Sequence, residues 1–229
     1  MIIQIYAFTD PDEAIQAAQM GVDHIGFIAG DYGLVHAELD FASAYALAHS
    51  LPVGARSVAL TMAVEVNEIL RMVDSVQPGI VHISTDLQDI GIDKLEELRK
   101  RLPESVQLMK AIPVEDIRSL TSAREFAALC DWLLLDTKVH GMPGVGATGR
   151  THDWAVSSQI IQAVEIPVIL AGGLTPENVQ SAIQAVAPAG VDSNTSTNRP
   201  GDPVKKDLQR IRQFVEAARR AGTAPGEHP

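Results

Sequence analysis

Residues 166–179 read IPVILAGGLTPENV, and this stretch decides the fold. Ile166–Ala171 is an apolar, largely β-branched run of the length of a buried strand. It stops at Gly172-Gly173. Thr175 stands where an N-cap belongs, with Pro176 at the first helical position and Glu177 in the first turn. A strand, a two-glycine turn and a capped helix result. Glycines let a ligand approach the main chain, and N–H groups at a helix start favour an anion. In a (β/α)8 barrel the loops after the last two strands commonly bind phosphate. A Gly-Gly turn is also ordinary loop geometry, so the rest of the chain must decide.

Outward from this stretch the same alternation repeats. Strand patterns occur at Ile2–Phe8, Asp23–Ile28, Val53–Leu60, Ile80–Ser84, Val106–Ile112, Trp132–Leu135 and Gly190–Asn194. Helical spacing separates them, at Pro11–Met20, Phe41–Ser50, Val64–Val76, Lys94–Leu102, Glu115–Leu129, Trp154–Val164 and Val204–Ala221. That makes eight units of roughly 28 residues with no domain-scale linker, which predicts a parallel sheet with helical crossovers. Eight units at this length favour a closed, single-domain α/β (β/α)8 barrel, a TIM barrel over 1–221, with a disordered tail at 222–229. Functional residues then belong at the C-terminal ends of strands, where Tyr6, Ser84, Lys110, Asp136, Gly172 and Asn194 fall.

Composition agrees with this architecture. Of the 229 residues 46% are hydrophobic but only 4% aromatic, so the core is aliphatic, as parallel strands buried on both faces require. The net charge of −11, without a basic patch, argues against a nucleic-acid partner. One cysteine, Cys130, sits among apolar neighbours and reads as a buried structural thiol. No signal peptide and no membrane-length apolar run is visible, so a soluble cytoplasmic protein is expected. Composition leaves the oligomeric state open.

Several motifs are more specific. They are Leu133-Leu134-Leu135-Asp136-Thr137, then Gly146-Ala147-Thr148-Gly149 with Asp153-Trp154, then Ile169–Val179. Gly190-Val191-Asp192, Pro200-Gly201 and Lys206-Asp207 follow. On these residues the chain resembles the phosphoribosylanthranilate isomerase family, over nearly its whole length but chiefly in its second half. The resemblance implies a (β/α)8 barrel and an Amadori rearrangement in tryptophan biosynthesis. It gives Asp136 the role of general acid at the furanose ring oxygen, against the plainer reading of an Asp that caps its loop. It places phosphate on Gly172, Gly173 and the turn Asn194, Thr195 and Ser196, and Gly149 in a glycine-rich loop, 141–149, that closes over substrate or stays passive.

The first half departs from the family where its chemistry lies. The family's Lys-Ile-Cys-Gly-Leu-Thr is here Gln4-Ile5-Tyr6-Ala7-Phe8-Thr9, so Tyr6 stands in the place of the base cysteine. A free phenol titrates about 1.5 units above a free thiol, a handicap of roughly 2 kcal/mol for a base at neutral pH. Tyr6 is a pocket-shaping or hydrogen-bonding residue, a tuned acid/base, or core filling. The family's carboxylate-binding arginine has no counterpart in Asp31-Tyr32-Gly33-Leu34-Val35. Arg56, an unexpected charge in a strand pattern, is a candidate anion contact instead, and Lys110 is a candidate anion contact, a Schiff-base lysine or a solvated structural lysine. His82 and Ser84 share a strand face and are candidate substrate contacts. His82 with Asp136 and His140 has no spacing that specifies a metal, so no metal or cofactor is expected. The reading is an isomerase-like barrel acting on a small phosphorylated sugar or related metabolite by isomerisation or proton transfer. Its rivals are phosphoribosylanthranilate isomerase itself with substituted machinery, and a non-catalytic phosphate-ligand-binding barrel. With base and arginine both replaced, turnover of phosphoribosylanthranilate is expected to be very slow or absent.

Overall fold

The structure is a computed structural model that describes residues 1–30, 32–33, 35–138, 144–146 and 151–222. Strands β1 (Ile2–Ile5), β2 (His24–Ala29), β4 (Arg56–Thr61), β5 (Ile80–Ile83), β6 (Gln107–Pro113), β7 (Trp132–Asp136), β8 (Val168–Leu170) and β9 (Gly190–Ser193) are all parallel. Pairing of β1 with both β9 and β2 closes the ring. A two-residue strand β3 (Glu38–Leu39), not anticipated from sequence, pairs beside the end of β2. Helices α1 (Pro11–Gln19), α2 (Phe41–Ser50), α3 (Val66–Val76), α4 (Ile92–Arg101), α5 (Ser119–Ala127), α6 (Trp154–Ala163), α7 (Val179–Val186) and α8 (Leu208–Gly222) follow in turn. The chain is therefore the expected eight-stranded (β/α)8 barrel.

Two cores follow from the period-two pleat. Residues pointing outward, such as Ile3, Ile5, Leu133, Leu135 and Val191, pack with the helices. Residues pointing inward, such as Tyr6, Val58, Ile80, Met109, Leu134 and Ile169, fill the barrel. Polar side chains close the N-terminal end: Gln107 Oε1 accepts from Trp132 Nε1 at 3.1 Å and from Arg56 Nη1. His24, on the other side of the ring, meets the Trp132 indole edge-on, centroids 5.3 Å apart.

Some boundaries differ from the sequence reading. Val53 is fully exposed and Gly54 has φ +101°, so these residues form a turn and β4 begins only at Arg56. After β8, Thr175 does cap a turn, its Oγ1 accepting from Glu177 N–H at 3.2 Å. The regular helix α7 starts later, at Val179, because Asn178 folds back onto Thr175 N–H (2.8 Å) and Gly173 O (3.0 Å). Gly222 ends α8, and the remainder of the sequence-predicted tail lies outside the described residues.

Candidate active site

A cavity of about 470 Å³ opens at the C-terminal ends of the strands. Tyr6 after β1, His82 on β5, Ser84 after it, Asp136 closing β7, Asp192 on β9 and Asn194 after it all line it. Each is an inward position of its strand or the next residue in that register, which is why the topology gathers residues so distant in sequence. Val145 covers the cavity from above. Its N–H donates to Ser84 O and its carbonyl accepts from Ser84 Oγ, both at 2.9 Å. The central part of the glycine-rich segment is thus tied down, with Gly146 N–H on Thr137 O at 2.9 Å. Gly149 and His140 lie outside the described residues.

Asp136 is half-buried, and partial removal from water pushes its carboxyl up to about 6 despite hydrogen bonds from Thr137 that favour the ionised form. Thr137 N–H donates to Oδ1 at 2.7 Å, which fixes the carboxyl's orientation. A β-carbon on Gly146 would lie 2.3 Å from Asp136 Oδ2, so only glycine fits above the carboxyl. A carboxylic acid that titrates near neutrality, held rigidly in a cavity, is equipped to give a proton.

A second carboxyl, Asp192, was not singled out from sequence. Burial and the nearby Asp136 push it up to about 8. Its Oδ1 accepts from Gln4 Nε2 at 3.1 Å, and Gln4 Oε1 pairs with His24 Nδ1 at 3.1 Å. A lysine at position 4 would give Asp192 a cation; glutamine gives it only a neutral donor, and the acid form persists at neutral pH. The signal was present in Gly190-Val191-Asp192, since strand alternation turns Asp192 to the same side as Gln4 across the β1–β9 pair.

Tyr6 and His82 form a pair, Tyr6 Oη to His82 Nδ1 at 2.8 Å. Burial, with the Asp192 charge adding to it, holds the phenol well above its usual range. Burial, then the Lys110 charge, lowers His82 to about 3. The Tyr6 ring lies on Gly26, where a β-carbon would come within 2.5 Å of it. A glycine inside a strand marks a close approach, and this one makes room for tyrosine. Lys206, fully buried, supports the other side of Tyr6. Its ammonium donates to Tyr6 O, to Asn198 Oδ1 at 2.6 Å and to Asn194 Oδ1 at 3.2 Å.

The turn after β8 has both glycines in the left-handed region, Gly172 at φ +85° and Gly173 at φ +62°. Among the described residues no hydrogen bond is formed by the N–H groups of Gly172, Gly173, Leu174, Thr195 or Ser196. Neither glycine lines the cavity, although Asp136 Oδ1 stands 3.3 Å from where a Gly172 β-carbon would be. His152, another residue sequence did not mark, places Nδ1 2.9 Å from that same point. Thr195 and Asn194 line the cavity. Ser196 does not: its hydroxyl donates to Leu174 O at 2.7 Å and meets Ser193 Oγ at 2.7 Å, stitching the last two loops together.

Two expectations are corrected by placement. Arg56 begins β4 and so lies at the N-terminal end of the barrel on Gln107, away from the cavity. Lys110 is an outward position of β6. Its ammonium donates to Thr85 O at 2.6 Å and lies 5.8 Å from the Phe126 ring centroid, within the helix layer. It is a buried structural cation, lowered to about 7 by that burial. It sits near Cys130, whose thiol burial pushes up to about 12, as an inert core thiol requires. No helix among the described residues is long and apolar enough to cross a membrane.

A family model described as N-(5'phosphoribosyl)anthranilate (PRA) isomerase matches residues 3–217. The N-(5'-phosphoribosyl)anthranilate isomerase of Methanosarcina acetivorans is 32% identical over 228 residues, covering 95% of this chain and 92% of that protein. That of Methanothrix thermoacetophila is 34% identical over 214 residues, covering 92% and 97%. The crystal structure of phosphoribosyl anthranilate isomerase from Thermotoga maritima superposes with a TM-score of 0.80 at 26% identity, covering 96% of this chain and all of that one.

Proposed function

This chain belongs to the phosphoribosylanthranilate isomerase family of aldose–ketose isomerases, and on that premise we propose that it converts phosphoribosylanthranilate to its ketose by an Amadori rearrangement, with a replaced base. This is narrower than the general sugar-phosphate reading drawn from sequence, and the similarity to enzymes of that name along the whole chain supports it.

The observation that carries the proposal is Asp136, a half-buried carboxyl oriented by Thr137 at a strand's end and pushed up to about 6. Asp136 protonates the ring oxygen, the C1–O bond breaks, and the sugar opens to an iminium at C1 that leaves Asp136 ionised. The C2 proton then leaves to Tyr6 Oη while the Tyr6 hydroxyl proton passes to His82 Nδ1 along their hydrogen bond. The Tyr6–His82 pair then delivers a proton to C1 of the enol while the C2 hydroxyl gives its proton to Asp136, so the ketose forms and both groups return to their starting states. Because His82 is a weak base, at about 3, C2 deprotonation is slow, and it draws on the ring-opened species that only protonated Asp136 supplies. Phosphate binds the N–H groups of the Gly172-Gly173 turn and of Thr195 and Ser196, which form no hydrogen bond among the described residues.

One observation favours a second reading. No arginine or lysine lines the cavity among the described residues, so among these the anthranilate carboxylate meets no cation. A phosphoribosylamine without that carboxylate would suit the cavity better. Purified protein incubated with phosphoribosylanthranilate and with its carboxylate-free phenyl analogue, with aldose and ketose separated by chromatography, decides. Faster turnover of the carboxylate substrate supports the first reading, and faster turnover of the analogue the second. Turnover of neither refutes isomerisation.

A further inference from the structure

The Tyr6–His82 pair leaves one atom unaccounted for. His82 Nε2 is buried and has no partner among the described residues, in a side chain only 2% exposed that lines the cavity. Nδ1 is taken by Tyr6 Oη at 2.8 Å. The phenol stays neutral, and among the described residues its hydroxyl has no acceptor other than this nitrogen. The hydroxyl must therefore donate, Nδ1 must accept, and the ring proton is placed on Nε2. A buried N–H left unpaired is costly, so such a group inside a cavity is completed by what the cavity binds.

We propose that His82 Nε2–H is a specificity-determining donor of this cavity, held in that tautomer by Tyr6, and that it binds a carbonyl or hydroxyl oxygen of a phosphorylated sugar. Tyr6 is then a positioning residue for His82 as well as its proton-relay partner. The donor is neutral, and two carboxyls, Asp136 and Asp192, face the same cavity, so an uncharged ligand oxygen is favoured over an anionic one. The inference rests on the phosphorylated-sugar reading above for the identity of its ligand, but the tautomer does not.

Nitrogen-15 NMR of histidine-labelled native protein tests both parts. With no ligand, Nε2 of His82 should carry the proton and Nδ1 should not, and Tyr6→Phe should remove this preference. A proton on Nδ1 in the native protein overturns the inference. Ribulose 5-phosphate and inorganic phosphate are then titrated separately. The ketose phosphate should shift both the Gly172 and Gly173 amides and His82 Nε2, whereas inorganic phosphate should shift only the glycine amides. A ketose phosphate that moves the glycines and leaves His82 unmoved overturns the inference and spares the phosphate site; one that moves neither overturns both. In a binding assay His82→Phe should weaken ribulose 5-phosphate about tenfold and leave inorganic phosphate unchanged, with His82→Gln recovering part of the loss. Equal affinity in the native protein and His82→Phe would also refute the inference.

Discussion

Asp136→Asn removes one transferable proton and little else. Asparagine keeps the carboxyl's shape, and its oxygen can still accept from Thr137 N–H, at 2.7 Å in the native protein. The loss is therefore that of general-acid catalysis, typically about 10²–10⁴-fold in kcat, or roughly 3–5 kcal/mol. The pH profile adds a second, independent test. Only protonated Asp136 can serve, and its carboxyl titrates at about 6. The protonated fraction is about one half at pH 6, one tenth at pH 7 and one hundredth at pH 8, so kcat falls about tenfold per unit above pH 6. His82, lowered to about 3, is neutral throughout this range and adds no rising limb. The assay is initial rate with phosphoribosylanthranilate at saturation, from pH 5 to 8, for both proteins. An Asn variant within threefold of native, or a native profile flat to pH 8, would refute the assignment.

Other outcomes follow from the same geometry. Gly173→Val forces a β-branched residue into φ +62° at the proposed phosphate turn and should weaken phosphorylated ligands at least tenfold by calorimetry; unchanged binding would place the phosphate elsewhere. Asp192→Asn should change the pH dependence of stability. A carboxyl raised to about 8 holds its proton in the folded state where the unfolded chain has released it, so native stability falls relative to the variant as pH rises from about 4 to 8. Parallel native and variant denaturation curves across that window would show that Asp192 is not protonated. Tyr6→Cys combined with Gly33→Arg, at a cavity-lining position with open space around it, should raise phosphoribosylanthranilate turnover beyond either single change. No gain in the double variant would mean that these positions do not limit the reaction.

Architecture was largely legible in the sequence because buried parallel strands and crossover helices leave two distinct periodicities. Boundaries were legible only where turn chemistry was unambiguous. Val53 looked like strand by composition, yet Gly54 turns the chain there. The misplacement of Arg56 and Lys110 has a single cause: a strand pattern shows that a charge is present but not which end or face it occupies. Arg56 starts its strand, and Lys110 is one residue out of phase with Met109 and Ala111, which face the barrel. The placement of Asp136 at the cavity was legible because its position at the end of a triple-leucine run is both a local signal and a family one. The pairing of Tyr6 with His82 was not legible, since those residues lie 76 positions apart and only ring closure joins them. Gly26 was the available hint, a glycine in a strand whose missing side chain is filled by the Tyr6 ring.

The most direct measurement of the central claim is isomerisation of phosphoribosylanthranilate in deuterated water by protein purified from a host lacking its own isomerase. Slow, enzyme-dependent formation of a ketose carrying solvent deuterium at C1 is expected, abolished by Asp136→Asn. No ketose above the buffer control, or equal formation by Asp136→Asn, would contradict it.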